Sequence, residues 1–325
     1  MSDEGVGDGG AGYIGSVTTE LLLDAGHEIV VFDNLELGHR KAVDERARLI
    51  VGDLRRAEDI SGAMAEVKPD AVVHFAAYAA VGESMEFPER YFQNNVIGGV
   101  NLVSAMLEQD VGNIVFSSTC ATYGTPEIVP ISENEKQVPE NPYGESKLMF
   151  EKILTWHQER QDLRPVFLRY FNACGATKKF GEDHDPETHI IPLVLQVPMG
   201  TREKVFIFGD DYDTPDGTCI RDYIHIADLG QAHILALTND VSGPFNLGNG
   251  AGYSVKELIE VAQEVTGKEI PHEVQGRRPG DPARLIADAT KAREVLGWDP
   301  QSPGIREIIQ SAWDWHQANP HGYAE

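Results

Sequence analysis

The run Gly9-Gly10-Ala11-Gly12-Tyr13-Ile14-Gly15 constrains the fold more than any other feature of the chain. Gly9, Gly12 and Gly15 permit a tight turn, close approach of the backbone to a pyrophosphate, and close packing on a sheet of the helix they open. Such a turn needs a strand before it and a helix after it. Short apolar or β-branched runs at 29–32, 49–51, 71–77, 114–116 and 166–171 suit strands buried on both faces. Between them lie stretches of helical period, the first carrying Ile14, Val17, Leu21 and Ala25 and closed by Gly26. This alternation predicts an α/β fold with a Rossmann-like, doubly wound parallel sheet, whose ligands sit at the carboxyl ends of the strands.

Asp33 ends the next strand 21 residues beyond Gly12, near the interval at which an acidic side chain takes the ribose hydroxyls of NAD. A carboxylate there repels a 2′-phosphate, so NAD is favoured over NADP. Asp53 follows another strand and either meets the adenine or is a surface carboxylate. The segment before the turn conflicts with this picture. Ser2-Asp3-Glu4-Gly5-Val6-Gly7-Asp8 has one β-branched residue, two glycines and three carboxylates, a poor central strand, and weak or absent strand structure is expected at 2–7.

After about Gly175 the alternation breaks. Residues 177–222 are rich in Gly, Pro, Asp and Thr, which marks a change to a smaller C-terminal lobe with helices over 255–266 and 305–317 and a loop at 277–282. The chain carries 52 acidic against 27 basic residues, a net charge of −25, which repels nucleic acid and anionic membrane. The acidity is read either as ordinary solubility or as adaptation to high salt, where self-repulsion is screened. Cys120, Cys174 and Cys219 are odd in number and lack metal-like spacing, so no metal is expected and a reducing compartment is. With no apolar run long enough to span a membrane and an acidic start at Met1-Ser2-Asp3-Glu4, a cytoplasmic protein is expected.

Ser117-Ser118-Thr119 ends one strand, and Tyr143-Gly144-Glu145-Ser146-Lys147 follows on a helix. Positions i and i+4 share a face, so Lys147 lies one turn from Tyr143. An ammonium there favours the phenolate and lowers its pKa from about 10, making a base usable near neutrality. Hydroxyls at a strand's carboxyl end, ahead of that helix, stand where a nicotinamide would lie.

With these residues assembled, the sequence resembles the extended short-chain dehydrogenase/reductase superfamily and, within it, the UDP-glucose 4-epimerase family. The resemblance runs from Gly9 to Tyr323. It rests on the Gly-rich turn, Phe75-Ala76-Ala77 with Val81-Gly82-Glu83-Ser84, Asn94-Asn95-Val96, and the set Thr119, Tyr143 and Lys147. Further along come Arg169-Tyr170-Phe171-Asn172, Phe208-Gly209-Asp210-Asp211-Tyr212, Thr214-Pro215-Asp216-Gly217-Thr218, Arg221-Asp222-Tyr223-Ile224-His225 and Arg278-Pro279-Gly280-Asp281.

The resemblance implies an enzyme that inverts carbon 4 of UDP-glucose or UDP-galactose by lending hydride to tightly bound NAD and taking it back. Tyr143 is then the base, Lys147 its tuner and a ribose ligand, and Thr119 shares the proton path. For the cofactor it further implies Gly9, Gly12, Tyr13, Ile14 and Gly15; Asp33, Asn34, Asp53 and Leu54; Phe75, Ala76, Ala77 and Asn94; and Ser117 and Tyr170. For the substrate it implies Thr119, Asn172, His189, Ile190, Phe208, Arg221, Arg278 and Asp281, with the two arginines on the diphosphate. Residues 1–176 become the NAD domain and 177–325 the UDP-sugar domain, part of 222–250 returning to the first. Homodimers are joined in such proteins through the helices preceding and containing Tyr143, and Leu102, Met106, Leu148 and Ile153 suit that face or the core.

Two departures stand out. Ala79 replaces a cofactor-binding lysine of many relatives, and the polar first segment lies under the pyrophosphate turn. Leu285, at the far side of the hexose pocket, leaves N-acetylated sugars open. Related dehydratases need an acid pair after the threonine, where this chain has Cys120 and Ala121. Other nucleotide-sugar enzymes, and a catalytically silent NAD-binding protein, are the remaining alternatives.

Overall fold

A computed structural model describes residues 4–278 and 280–324. The N-terminal part runs β1 (Glu4–Asp8), α1 (Tyr13–Asp24), β2 (Glu28–Asp33), β3 (Arg48–Val51), α2 (Ala57–Val67) and β4 (Ala71–His74). Then come α3 (Val81–Glu86), α4 (Pro88–Tyr91), α5 (Gly98–Glu108), β5 (Asn113–Thr119), α6 (Pro142–Gln161) and β6 (Arg164–Tyr170), with a π turn over Phe92–Ile97 joining α4 to α5. The remainder contributes β7 (Asn172–Cys174), α7 (Ile190–Met199), β8 (Val205–Phe208), β9 (Ile220–Arg221), β10 (Tyr223–His225) and α8 (Ile226–Thr238). It closes with β11 (Gly243–Leu247), β12 (Tyr253–Ser254), α9 (Val255–Thr266), β13 (His272–Gln275), β14 (Arg284–Leu285) and α10 (Ile305–Ala318).

Seven parallel strands form one sheet in the order β11-β6-β5-β4-β1-β2-β3. Alternate side chains feed opposite faces, as a pleated strand requires. Ile29, Val31, Val73, Val115 and Val166 pack with Val17 of α1 and Leu229 and Ala232 of α8. Val30, Phe32, Val72, Ile114 and Phe116 pack on the other side with Ile60, Leu102, Met106, Phe150 and Leu154. Full burial of each such side chain contributes about 1.5–3 kcal/mol, so both faces of the expected doubly wound sheet are well supplied. A separate core holds the C-terminal elements: Ile191, Val194 and Leu195 of α7 meet Leu258 and Ile259 of α9 and Ile308, Ile309 and Trp313 of α10.

The expectation for the first segment is overturned. β1 pairs in parallel with β2 and β4, and Val6 is buried in the second of these cores. Ser2 and Asp3 lie outside the described residues. Two glycines are tolerated because pairing on both sides fixes the backbone, and Asp8 is tolerated because it has buried partners. Its Oδ1 meets His74 Nδ1 at 2.5 Å and accepts the Ala76 N–H at 3.1 Å. Leu102, Met106 and Leu148 are core residues, at 0, 0 and 3% exposure. The apolar residues that α5, α6 and the π turn leave in solvent are Ile97, Val100, Met149 and Trp156.

Candidate active site

The glycine turn joins β1 to α1 as its spacing requires. Gly9 has φ +73°, and a Cβ there would lie 2.5 Å from Ala76 N; a Cβ on Gly15 would lie 2.3 Å from Gly9 O. No side chain caps α1 at Gly12 and its first turn holds no acid, so the N–H groups of Tyr13, Ile14 and Gly15 stand at an open, positive helix end. This cradle fits a pyrophosphate. Asp33 is buried beside it, accepting the Ala11 N–H at 3.0 Å and the Leu35 N–H at 2.8 Å, and burial raises its pKa despite those bonds. Asn34 bonds instead to Glu36. Asp53 is taken up by Arg55, at 2.6 Å, so its carboxylate is already paired. Leu54 is core, with Gly98 packed close against it. Phe75 lies against the His233 ring, tilted, with centroids 5.0 Å apart, Ala76 touches the turn, Ala77 follows it in the same loop, and Asn94 bonds to Asn95.

Thr119 ends β5, and Asn141 caps α6 by accepting the Gly144 N–H at 2.8 Å, with Pro142 at the first helical position. That start fixes Tyr143 and Lys147 one turn apart. Burial pushes the Tyr143 phenol well up; neighbouring Tyr170 adds to this, while the Thr119 hydroxyl pulls it down. Tyr170 itself is pushed up to about 12 by burial. Lys147 lies one turn along the helix from Tyr143, as its spacing suggested. Its ammonium donates to Ser117 O at 2.9 Å, and burial, opposed by Asp8 and Glu151, lowers its pKa to about 7.

Cys120 lies near both Tyr143 and Arg221, its thiol raised to about 12 mainly by burial. Arg221, at 12% side-chain exposure, is ion-paired with Asp281. Arg278 lies 3.9 Å over the Phe208 ring. Asn172 donates to Asp222 O at 2.9 Å, and Leu285 pairs in register with Arg221. His189 precedes the first residue of α7, Ile190, without a side-chain capping bond, and its Nδ1 meets Glu182 at 2.8 Å. The structure thus sets Thr119, Tyr143, Lys147 and Tyr170 at one sheet edge and groups Arg221 with Asp281 and Arg278 with Phe208 nearby.

Three supporting groups escaped the sequence reading. Glu151 is buried between Arg169, at 2.5 Å, and the Ser118 hydroxyl, at 2.5 Å. His233 accepts from or donates to Ser117 Oγ at 3.1 Å. Glu182, His184, Glu187 and His189 converge in one loop. The first two are scattered in sequence and carry no local signal; the last has the pattern Glu-x-His-x-x-Glu-x-His, which was legible.

A doubly wound sheet with an open Gly-rich helix start and a Thr, Tyr, Lys set at its carboxyl edge defines a dinucleotide-binding α/β protein of the short-chain dehydrogenase/reductase type. The chain belongs to the NAD dependent epimerase/dehydratase family, whose model matches residues 8–248. It is 52% identical over 322 residues to a UDP-glucose 4-epimerase of Halalkalibacterium halodurans, covering 97% of this chain and 96% of that one. A crystal structure of a UDP-glucose 4-epimerase superposes with a TM-score of 0.96 at 50% identity, covering 99% and 100%. The Bifidobacterium longum UDP-glucose 4-epimerase, solved in complex with NAD+ and UDP, gives 0.93 at 37% identity, covering 98% and 99%.

Proposed function

We infer that the chain is an NAD-dependent UDP-hexose 4-epimerase that interconverts UDP-glucose and UDP-galactose. The observation that carries this is Tyr143 beside Thr119 at the carboxyl end of β5, in the sheet whose first turn forms the pyrophosphate cradle. NAD, when bound, supplies the group that takes hydride from carbon 4 and gives it back. Tyr143 accepts the proton of the 4-hydroxyl, with Thr119 sharing it, and returns it to the inverted sugar. Burial holds the phenol up in the free chain, and the Lys147 ammonium, one turn along the same helix, is the group that would favour its phenolate. Lys147 and Asp33 hold the nicotinamide-side and adenosine-side riboses, and the N–H groups of Tyr13 and Ile14 the pyrophosphate. Arg221 and Arg278 clamp the substrate's diphosphate, supplying the positive charge that the surface at −25 lacks. Asn172, His189, Ile190 and Phe208 line the path to the sugar.

The two roles divide between 1–176 and 177–325, with α8 and β11 packed on the NAD sheet, as the pairing of β11 with β6 supports. The exposed Ile97, Val100, Met149 and Trp156 support a homodimer through α5 and α6. Three free cysteines support a cytoplasmic setting, and the acidity supports high salt. Acid denaturation of the purified protein tests the reading: about one NAD per chain is expected in the supernatant. Protein that neither holds NAD nor gains activity with added NAD would point to the silent alternative.

A further inference from the structure

We propose that Glu182, His184, Glu187 and His189 bind one divalent transition-metal ion, zinc fitting best. All four lie in the loop between β7 and α7, and one ligand atom from each lies within 4.8 Å of every other. His189 Nδ1 is 2.8 Å from Glu182 Oε1 and 3.2 Å from Glu187 Oε1; His184 Nδ1 is 3.3 Å from Glu182 Oε1 and 3.7 Å from Glu187 Oε2. Zinc with bonds of about 2.0–2.1 Å sets its ligand atoms about 3.3 Å apart, and the contacts of the two imidazoles with Glu182 Oε1 and of His189 with Glu187 Oε1, at 2.8–3.3 Å, lie within about 0.5 Å of that edge.

Two features set the cluster apart from ion pairs on an acidic surface. The Glu182 and Glu187 side chains are only 6% and 7% exposed. His184 is a third exposed, but its Nδ1 atom is shielded from solvent and makes no hydrogen bond, standing 3.3 and 3.7 Å from the two carboxylates. Imidazole nitrogen disfavours magnesium and calcium, which take oxygen, whereas two imidazoles with two carboxylates suit zinc and neutralise its charge.

The loop is held from outside, as a metal site requires. Gly181 N donates to Tyr323 Oη at 3.0 Å, Asp183 accepts the Tyr323 N–H at 2.8 Å, and the His184 ring meets Tyr13 edge-on at 6.3 Å. The ion's role is structural: it ties the start of α7 to the turn that carries Tyr13. With its Nδ1 on the metal, His189 keeps its other nitrogen protonated as a donor.

The test uses the purified, nucleotide-loaded protein, stripped with EDTA and titrated with zinc chloride, read by bound metal and by thermal unfolding; neither readout depends on epimerase activity. Wild type is expected to take one zinc per chain and to melt higher with it, magnesium chloride having no such effect. His184→Gln and Glu182→Gln should each weaken zinc more than about 100-fold. Stripped wild type that takes no stoichiometric zinc, folded variants that bind it as tightly as wild type, or magnesium binding as tight as zinc would overturn the site. The wild-type arm stands even if a variant does not fold.

Discussion

Lys147 Nζ lies 2.9 Å from the backbone oxygen of Ser117, buried under the carboxyl end of β5. The lysine is therefore held as part of the sheet edge, and the chain bears the cost of burying its charge. Folded Lys147 titrates at about 7 against an ordinary 10.5. Between those values the unfolded chain holds the proton and the folded one does not, so this penalty is full below pH 7 and fades towards pH 10.5. Lys147→Met in NAD-free protein should then raise stability by about 2–4 kcal/mol at pH 6, the gain vanishing by about pH 10.5, while activity falls at least about 100-fold. Thermal melts of both proteins across that range check it.

Tyr143→Phe removes one oxygen and leaves the ring against Tyr91, 6.5 Å away. Turnover should drop about 10³-fold or more with unchanged fold and NAD content, since a positioned general acid–base is worth about 10²–10⁴. Steady-state rates beside NAD content separate this from misfolding; a near wild-type rate removes Tyr143 from the chemistry.

Asp8 bonds both His74 and the Ala76 N–H from inside the sheet. Asp8→Leu strands two buried polar groups and should cost about 2–5 kcal/mol, whereas Asp8→Asn keeps hydrogen-bonding capacity and should cost about 1 kcal/mol. Urea titrations rank the three proteins.

The same strand shows how far the sequence could be read. The sheet, the helix opened by the Gly-rich turn, and the spacing of Tyr143 and Lys147 on one helix were legible because turn glycines and apolar periods are local signals. β1 was not, because Gly5 and Gly7 gain their order from β2 and β4, and Asp8 from His74, which stands 66 residues away. The position of Lys147 on its helix is a local signal, whereas the burial that lowers its pKa is set by the whole sheet. The Glu182–His189 cluster carries its signal in histidine and glutamate spacing, not in the cysteines.

His233 is fully buried; its Nδ1–H donates to Leu229 O at 2.9 Å, leaving Nε2 to accept from Ser117. Burial lowers its pKa from 6.5 to about 4. Unfolded chain takes up the proton as pH falls below about 6.5 while folded chain does not, so about 3 kcal/mol of stability is lost between pH 6.5 and 4. Denaturation curves at these pH values should show the loss, and His233→Gln should flatten it.

The net charge of −25 predicts a salt response. Unfolding free energy should rise from low to molar potassium chloride as self-repulsion is screened. Stability that is flat or falls with salt would return the acidity to ordinary solubility.

The most direct measurement adds UDP-galactose to the purified protein with no external cofactor and follows UDP-glucose. The account predicts conversion to an equilibrium mixture by wild type and almost none by Tyr143→Phe at equal NAD content. Failure of folded, NAD-containing wild type to convert either sugar would contradict it.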